Sequence, residues 1–273
     1  MRPVSLAVVG ERIVVIDQAR GRLVMWTTTG EHSGEVSLRG ANEIPRIRGG
    51  AEALMGVLDP REGNLYGGLS PWSAARLSLS DGAVDRLVEL EYVGLPWIER
   101  TRSDGIPAFL SVELPVPHPQ ASISAGDQIY VAPGGEYQLV AYDANGLMRW
   151  ALRVAAGAPQ LTETMVDTEA DRLREHFPDL KASEIPRPEA LAAVSGIAVD
   201  GHGHIYVFPN LGRIEDRDSV PVDVYSPEGE WLFAGFIAID GWLAAHDNDV
   251  FRIEQDEETG GREVVRYALG EPF

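Results

Sequence analysis

Short apolar runs separated by turn residues recur along most of this chain. Three of them align without gaps: VVGERIVVID (residues 8–17), ISAGDQIYVAP (residues 123–133) and VDGHGHIYVFP (residues 199–209). In each run two apolar strands flank a cluster of glycine and polar turn residues, and the β-branched and aromatic side chains suit a pleated, half-buried strand. Each run therefore predicts a β-hairpin.

A third strand and a second turn follow each hairpin. They read RLVMWTTTGE (residues 22–31), QLVAYDANGL (residues 138–147) and PVDVYSPEGE (residues 221–230). Four residues before the turn glycine each copy carries an aromatic residue, namely Trp26, Tyr142 or Tyr225. A register kept in copies so far apart indicates an internal repeat.

Three further units are weaker copies. Residues 58–90 keep the second turn at Asp81 and Gly82 without the aromatic residue, and residues 236–269 predict three strands. Residues 96–117 contain TRSDGIPA, a hairpin turn, and little else that matches. Repeats of about 40 residues with four strands each are typical of β-propeller blades. The sequence predicts an all-β, six-bladed propeller as a single domain over residues 1–273, with blades at 4–46, 47–94, 95–118, 119–157, 192–235 and 236–273.

Residues 158–191 interrupt the strand pattern. Helix-forming residues are frequent there, and apolar residues recur at helical spacing at Leu161, Met165, Val166, Leu173 and Phe177. Thr162 and Thr164 are the candidate N-caps, and Pro178 ends the pattern. We expect a helical insertion whose apolar stripe packs on an end face of the propeller, either as a lid over the central channel or as plain packing.

The chain resembles the bacterial six-bladed β-propellers of the NHL-repeat type. The resemblance rests on VSLAVVGERIVVIDQARGRLVMWTTTGE, on PRPEALAAVSGIAVDGHGHIYVFPN with VDVYSPEGEWLFAGF, and on the closing REVVRYAL. It implies a periplasmic or secreted protein. Residues 39–50, RGANEIPRIRGG, differ from the glycine- and proline-rich segment of that family. The given sequence also begins directly with an inner strand near Val4, so we expect three strands in the last blade.

The amino-acid composition limits the kinds of partner that the protein can bind. With 23 basic and 42 acidic residues the net charge is −19, which opposes nonspecific attraction to nucleic acid or anionic lipid. No apolar run approaches the roughly 18 residues of a membrane helix, and there is no signal peptide at the N-terminus. The chain has no cysteine, which excludes disulfides and thiolate chemistry. We expect a monomer.

The histidines do not form a convincing metal site. His202 aligns with turn glycines of the sister copies and His204 with the edge of the second strand, so both are interpreted as turn residues. The HDND stretch at residues 246–249 is interpreted in the same way. We find no nucleophile elbow, P-loop or dinucleotide fingerprint.

A propeller binds ligands at the mouth of its central channel, where loops leave the second strand of each blade. The candidate ligand-binding residues near these loops are Asp17, Arg20, Trp72, Tyr137, Asn210 and Arg213. The favoured function is a noncatalytic module that binds a small molecule, peptide or protein there without a cofactor. One alternative is a hydrolase or lyase that uses a divalent metal such as calcium in the channel. Another is a structural interaction domain with an exposed apolar patch.

Overall fold

The computed structural model describes residues 3–38, 44, 46–50, 54–58, 69–93, 97–101, 107–124, 126–155, 159–210, 220–237, 243–246, 249–255 and 262–268. Within these ranges the regular secondary structure is mostly β-strand, with one α-helix. No helix in them is long and apolar enough to cross a membrane. The predicted all-β class is confirmed.

Most strands form four antiparallel sheets of four strands each, and neighbours in sequence are neighbours in the sheet. The first sheet is β1 (Pro3–Val9), β2 (Arg12–Asp17), β3 (Arg22–Thr27) and β4 (His32–Ser37), and the second is β5 (Arg46–Gly49), β6 (Leu54–Leu58), β7 (Leu69–Leu77) and β8 (Val84–Val93). A two-stranded hairpin follows, β9 (Trp97–Thr101) and β10 (Pro107–Ser111). The third sheet is β11 (Gln120–Ile123), β12 (Ile129–Ala132), β13 (Gln138–Tyr142) and β14 (Met148–Arg153).

The remaining elements complete the pattern. Helix α1 (Glu163–Arg174) precedes the fourth sheet, which is β15 (Val194–Val199), β16 (Ile205–Pro209), β17 (Val220–Tyr225) and β18 (Trp231–Ile237). Among the described residues the last sheet has three strands, β19 (Leu243–His246), β20 (Asp249–Gln255) and β21 (Arg262–Ala268). The predicted hairpins and the three-stranded last unit are thus confirmed.

In three of the sheets the second turn is held by the side chain that begins it. Thr27, Asp143 and Ser226 each accept a hydrogen bond from the backbone N–H four residues on, at 3.0, 2.9 and 3.3 Å. These side chains accept hydrogen bonds from backbone N–H groups that a tight turn would leave without a backbone acceptor. The repeat seen in the sequence is therefore a repeat of turn chemistry.

The glycines of these turns show how the sheets stack. An added Cβ at Gly82 would overlap the carbonyl oxygen of Ser37 in β4, and one at Gly146 would lie 2.6 Å from that of Leu87 in β8. One at Gly229 would lie 3.1 Å from the ring of Trp150 in β14. At three successive junctions, the turn before the fourth strand packs on the fourth strand of the preceding sheet.

The first strands of the sheets are also neighbours: β1 contacts β5, β5 contacts β11, β11 contacts β15, and β15 contacts β19. Four-stranded antiparallel sheets stacked face to face with their first strands adjacent are the blades of a β-propeller. Buried apolar clusters fill each junction between the first four sheets. The sheets are stable as blades because each covers a face that its neighbour cannot bury alone.

The prediction of six blades is not confirmed. The second and third sheets pack directly on each other, since Met55, Trp72 and Val88 share one buried cluster with Ile129 and Val131. The hairpin β9–β10, expected to be a blade, therefore does not separate them. Its strands are too few to bury a sheet face, and its buried Ile98 joins the helical insertion instead.

Helix α1 agrees with the sequence pattern. The Thr162 hydroxyl accepts a hydrogen bond from the Met165 backbone N–H at 3.3 Å, which confirms it as the N-cap. Met165, Val166, Leu173 and Phe177 are buried, as their helical spacing predicted.

Candidate functional site

One end of the stacked sheets carries the features expected of a binding site. In a four-stranded antiparallel sheet, the loop after the second strand and the connection to the next sheet emerge at the same end, which we call the loop end. The two long connections, residues 94–119 and 154–193, both leave their sheets there. The described loops after β2 and β12 therefore lie at the loop end, where both insertions also begin.

The two insertions form one unit, which we call the cap: the hairpin β9–β10 with residues 112–116, and residues 161–191 with α1. Ile98, Val112 and Leu114 of the first insertion pack against Val166 and Leu173 of the second in a single buried cluster. Neither insertion could bury this apolar surface alone. The helical stripe thus packs on the other insertion rather than on a propeller face.

A buried carboxylate joins the two halves of the cap. Glu169 is fully buried and accepts hydrogen bonds from Arg172 at 2.6 Å and from the Glu113 backbone N–H at 2.7 Å. Arg172 also donates to the Ser111 carbonyl at 2.8 Å. The hydrogen bond to Glu169 raises the pKa of Arg172, because it stabilises the charged guanidinium. A paired, hydrogen-bonded carboxylate is the form in which a buried charge is tolerated.

A second arginine joins the halves at the surface. Arg100 of β9 donates to Asp179 at 2.9 Å and to Glu184 at 2.5 Å, and its guanidinium lies 6.0 Å from the Phe177 ring centroid. The pKa of Glu184 is lowered, first by the backbone N–H of Lys181 and then by Arg100. Because these acidic groups are exposed, such pairs contribute little stability and chiefly fix orientation.

Backbone hydrogen bonds attach the cap to the sheets. The Ala192 N–H donates to the Pro115 carbonyl at 2.6 Å, and the Ala193 N–H donates to the Gly134 carbonyl at 2.8 Å. Asn210, a predicted ligand-binding residue, donates from its side chain to the Ala192 carbonyl at 2.8 Å and from its backbone to the Ala193 carbonyl at 2.9 Å. Asn210 is thus at the loop end, where it holds residues 192–193, which join the cap to β15.

Tyr137 lies in the same region but faces inward. Its side chain is only 3% exposed, and its hydroxyl donates to the Asp223 carboxylate of the next sheet. The Tyr225 hydroxyl donates to the Tyr137 oxygen at 3.4 Å. Burial and then the bond to Asp223 raise the pKa of Tyr137, so the phenol stays protonated and acts as a donor. This network joins the third and fourth sheets.

The other predicted site residues are not gathered in one place. Asp17 is fully buried and accepts from Arg22 at 3.4 Å within the first sheet, whereas Arg20 is exposed in the short 3₁₀ turn Gln18–Arg20. Trp72, expected to offer exposed aromatic surface, is instead fully buried between the second and third sheets. Successive side chains of a strand point to opposite faces of the sheet, and the side chain at position 72 of β7 points to the junction with the third sheet. Arg213 lies outside the described residues.

The two histidines lie in the turn that the alignment predicted, at the opposite end of the fourth sheet. Asp200 is the centre of that turn: its carboxylate accepts from the backbone N–H groups of His202 at 3.0 Å and His204 at 2.8 Å. The same carboxylate contacts the His204 ring nitrogen Nδ1 at 2.9 Å and the Tyr206 hydroxyl at 3.2 Å. In the HDND stretch, His246 ends β19 and Asp249 begins β20, and residues 247–248 lie outside the described residues.

Two observations concern a metal site and a cavity for a small ligand. In the described ranges, no three histidine, aspartate or glutamate side chains are grouped to hold a metal ion. A cleft between the second and third sheets, lined among others by Met55, Arg76 and Asp127, has a free volume of about 10 Å³. That is room for about one water molecule, so no organic ligand fits there.

Sequence reasoning missed two residues that hold this region. Asp223 interrupts the apolar strand VPVDVY, and Glu169 falls on the buried stripe of α1. A charged residue on an otherwise apolar face signals a buried partner. The sequence contains this signal, but it does not show that Asp223 accepts from Tyr137 or that Glu169 accepts from the Glu113 backbone N–H, because both contacts join different elements.

No protein-family model and no curated protein sequence matches the chain. Among solved structures, it is similar to a gluconolactonase from Xanthomonas campestris at 15% identity and a TM-score of 0.41, with 88% of this chain and 64% of that chain covered. This chain thus spans less than two thirds of that protein's length. It is also similar to a virginiamycin B lyase from Staphylococcus aureus at 9% identity and a TM-score of 0.42, with 99% of this chain and 85% of that chain covered. The RRP9 WD40 repeats give 10% identity and a TM-score of 0.42, with 99% and 77% covered. These likenesses do not identify a function.

Proposed function

We propose that this protein is a noncatalytic binding module in which the loop end of a β-propeller, together with the cap, holds a small molecule, peptide or protein partner. The observation that carries the proposal is the position of the cap. Two separate insertions leave neighbouring sheets at the loop end and share one buried core. Long insertions in compact domains commonly serve binding.

The polar side chains of this end support binding rather than proton transfer. Tyr137 donates to Asp223, Asn210 donates to Ala192, and Asp17 accepts from Arg22. A general acid or base must be within reach of substrate and able to exchange its proton, whereas these groups hold the sheets and the cap together. Arg20 is exposed and remains the candidate for direct ligand contact.

The NHL-repeat type, a bacterial source and a periplasmic or secreted location stay predictions from the sequence. For the blade number, we propose that residues 95–118 belong to the cap and not to the ring, since the third sheet packs on the second. The alternative function, a metal-dependent hydrolase or lyase, is carried by no grouping of side chains in the described residues.

The proposal is tested by screening a library of small-molecule fragments for a shift in the thermal unfolding midpoint, and then mapping each binder by hydrogen exchange. Binders should protect residues 133–137, 191–193 and 210. Arg20→Ala should weaken those binders that reach the first sheet. Arg149→Ala removes an exposed arginine next to the Asp143 turn, at the other end, and should not affect binding.

The same screen distinguishes the alternative. Calcium, zinc or magnesium that raises the unfolding midpoint in a saturable way and supports hydrolysis of a lactone or an ester would establish the metal enzyme in place of the binding module. Fragment protection found only away from the loop end would also refute the proposal.

A further inference from the structure

The outer strand of the fourth sheet is apolar along its whole length. Strand β18 reads WLFAGFI and has no charged residue, although in the described part of the chain no further strand pairs with its outer edge. The outer strands of the other complete sheets all carry charges, namely Glu35, Arg86, Glu89, Arg149 and Arg153 among others. Charged side chains commonly protect an edge strand from pairing with another chain. β18 lacks this protection.

The large side chains of β18 are exposed on both faces of the sheet. Four of its residues are large, apolar and 42–65% exposed, namely Trp231, Leu232, Phe233 and Phe236. Phe233 and Phe236 are three positions apart and therefore point to opposite faces, where their partners on β17 are Val224 and Pro221. A partner docked on one face would cover only part of this apolar surface. A strand added at the edge would place its side chains next to both sets.

Contacts with the third sheet fix the start of β18. The Trp150 indole N–H donates to the Pro227 carbonyl at 3.1 Å, and a Cβ added at Gly229 would lie 3.1 Å from the Trp150 ring. The Ser226 hydroxyl holds the same turn by accepting from the Glu230 backbone N–H at 3.3 Å. β18 is therefore a preformed edge, and a segment that pairs with it has to order mainly itself.

Acidic side chains lie at the beginning of this edge. Glu228 and Glu230 are exposed and come directly before Trp231. In antiparallel pairing, the C-terminal end of an added strand lies beside the N-terminal end of β18. Basic residues at that end of the added strand would face these carboxylates. The net charge of −19 also favours a basic partner, whereas a second copy of the chain would bring the same negative charge.

We propose that β18 is a docking edge for an extended segment of a partner protein, in which apolar residues of high β-propensity are followed by basic residues. The segment pairs with β18 as a fifth strand of the fourth sheet. Backbone hydrogen bonds then provide affinity, and the side chains beside Trp231, Phe233 and Phe236 provide selectivity. The edge runs along the side of the sheet, so this interaction needs neither the cap nor the loop end and does not depend on the proposed function.

The test uses a fluorescent probe peptide of β-branched and aromatic residues that ends in two lysines. Fluorescence anisotropy should show saturable binding to the purified protein, and hydrogen exchange should show protection at residues 231–237 and none at residues 133–137. A probe that ends in two glutamates should bind more weakly. A probe with N-methyl groups at alternate residues should not bind, because it lacks the N–H groups for pairing.

Variants of the protein place the probe on β18. Phe236→Lys puts a charge on the edge and should weaken the lysine-ended probe by about tenfold or more, as expected when an aromatic anchor is lost. Leu6→Lys is the matched control, since Leu6 on β1 is 58% exposed, and it should bind the probe as the wild type does. Glu230→Gln should weaken the probe by roughly 1.5- to 5-fold, the range for one exposed ion pair.

Phe236 is exposed, so the unfolding midpoint of Phe236→Lys should stay near that of the wild type. Phe236→Thr, which keeps a β-branched residue without a charge, should also weaken the probe and provides the comparison if the lysine variant does not fold. Equal binding of the N-methylated probe would show docking on a face, and equal binding of the glutamate-ended probe would remove the basic preference. Either result refutes the proposal.

Sedimentation of the protein alone tests the other occupant. We expect a monomer, and a dimer that Phe236→Lys dissociates would show that β18 pairs with a second copy instead. Absence of saturable binding of the lysine-ended probe, or equal binding by the wild type and Phe236→Lys, would also overturn the proposal. Loss of binding at the loop end would leave all these results unchanged.

Discussion

Direct stacking of the third sheet on the second can be tested with one methyl group. Gly146 has a φ of +78°, and a Cβ there would lie 2.6 Å from the Leu87 carbonyl oxygen. Gly30 occupies the same turn of the first sheet with a φ of +89°, and no described atom lies within 4 Å of its added Cβ. Gly30→Ala is therefore a matched control for Gly146→Ala, since both place alanine in a left-handed conformation but only one meets a neighbouring sheet.

The expected loss of unfolding free energy has two contributions, backbone strain and overpacking. A left-handed backbone costs alanine roughly 1–2 kcal/mol, so we expect Gly30→Ala to lower the free energy of unfolding by about that amount. Gly146→Ala adds overpacking against backbone that cannot rotate away, which costs typically about 1–3 kcal/mol more. The total for Gly146→Ala is then roughly 2–5 kcal/mol.

Urea unfolding followed by tryptophan fluorescence measures both variants. The difference between them, and not either value alone, reports the contact between the sheets. If the two variants agree to within about 0.5 kcal/mol, the usual precision of such comparisons, then the Gly146 turn does not pack on β8. A ring in which residues 95–118 stand between these sheets as a blade predicts that equality.

Two further predictions concern the cap and the buried phenols. Leu173→Ala removes a fully buried side chain from the cap and should lower the free energy of unfolding by about 2–5 kcal/mol; hydrogen exchange should speed up in α1 and in β9–β10 together, and exchange in β9–β10 that stays at the wild-type rate would contradict a shared core. Burial, reinforced by the charge of Glu228, raises the pKa of Tyr130 to about 12. Since a tyrosine in the unfolded chain titrates near 10, this stabilisation is fully present below about pH 10 and is lost as the pH rises towards 12. Unfolding free energies measured from pH 8 to 12 should fall, less steeply in Tyr130→Phe, and an equal slope in both proteins would refute this origin.

Much of the fold was predictable because its determinants are local. The continuous β-branched and aromatic runs IVVID and IYVFP predict strands. The turn residues Asp143 and Ser226 act on backbone groups within four positions of themselves. Helix α1 is equally local, since the Thr162 cap and the apolar spacing lie in one segment. Equal spacing in distant copies then predicted that the units stack.

The candidate site was less predictable, because its contacts join residues far apart in sequence. Tyr137 was chosen as a loop residue, yet its hydroxyl reaches Asp223, 86 residues away. Trp72 has the same aromatic character at the surface or in the core, and only its position on β7 against the third sheet decides that it is buried.

The sequence by itself determined the all-β class, the repeating hairpins, their turns and the single helix, since each depends on the side-chain period or on hydrogen bonds within a few residues. Only the tertiary structure decided which sheets are neighbours and that the hairpin β9–β10 pairs with α1 as a cap. Apolar strands and helices have no intrinsic preference for one apolar partner over another. Their partners are chosen by the shapes and distances that arise when the sheets pack.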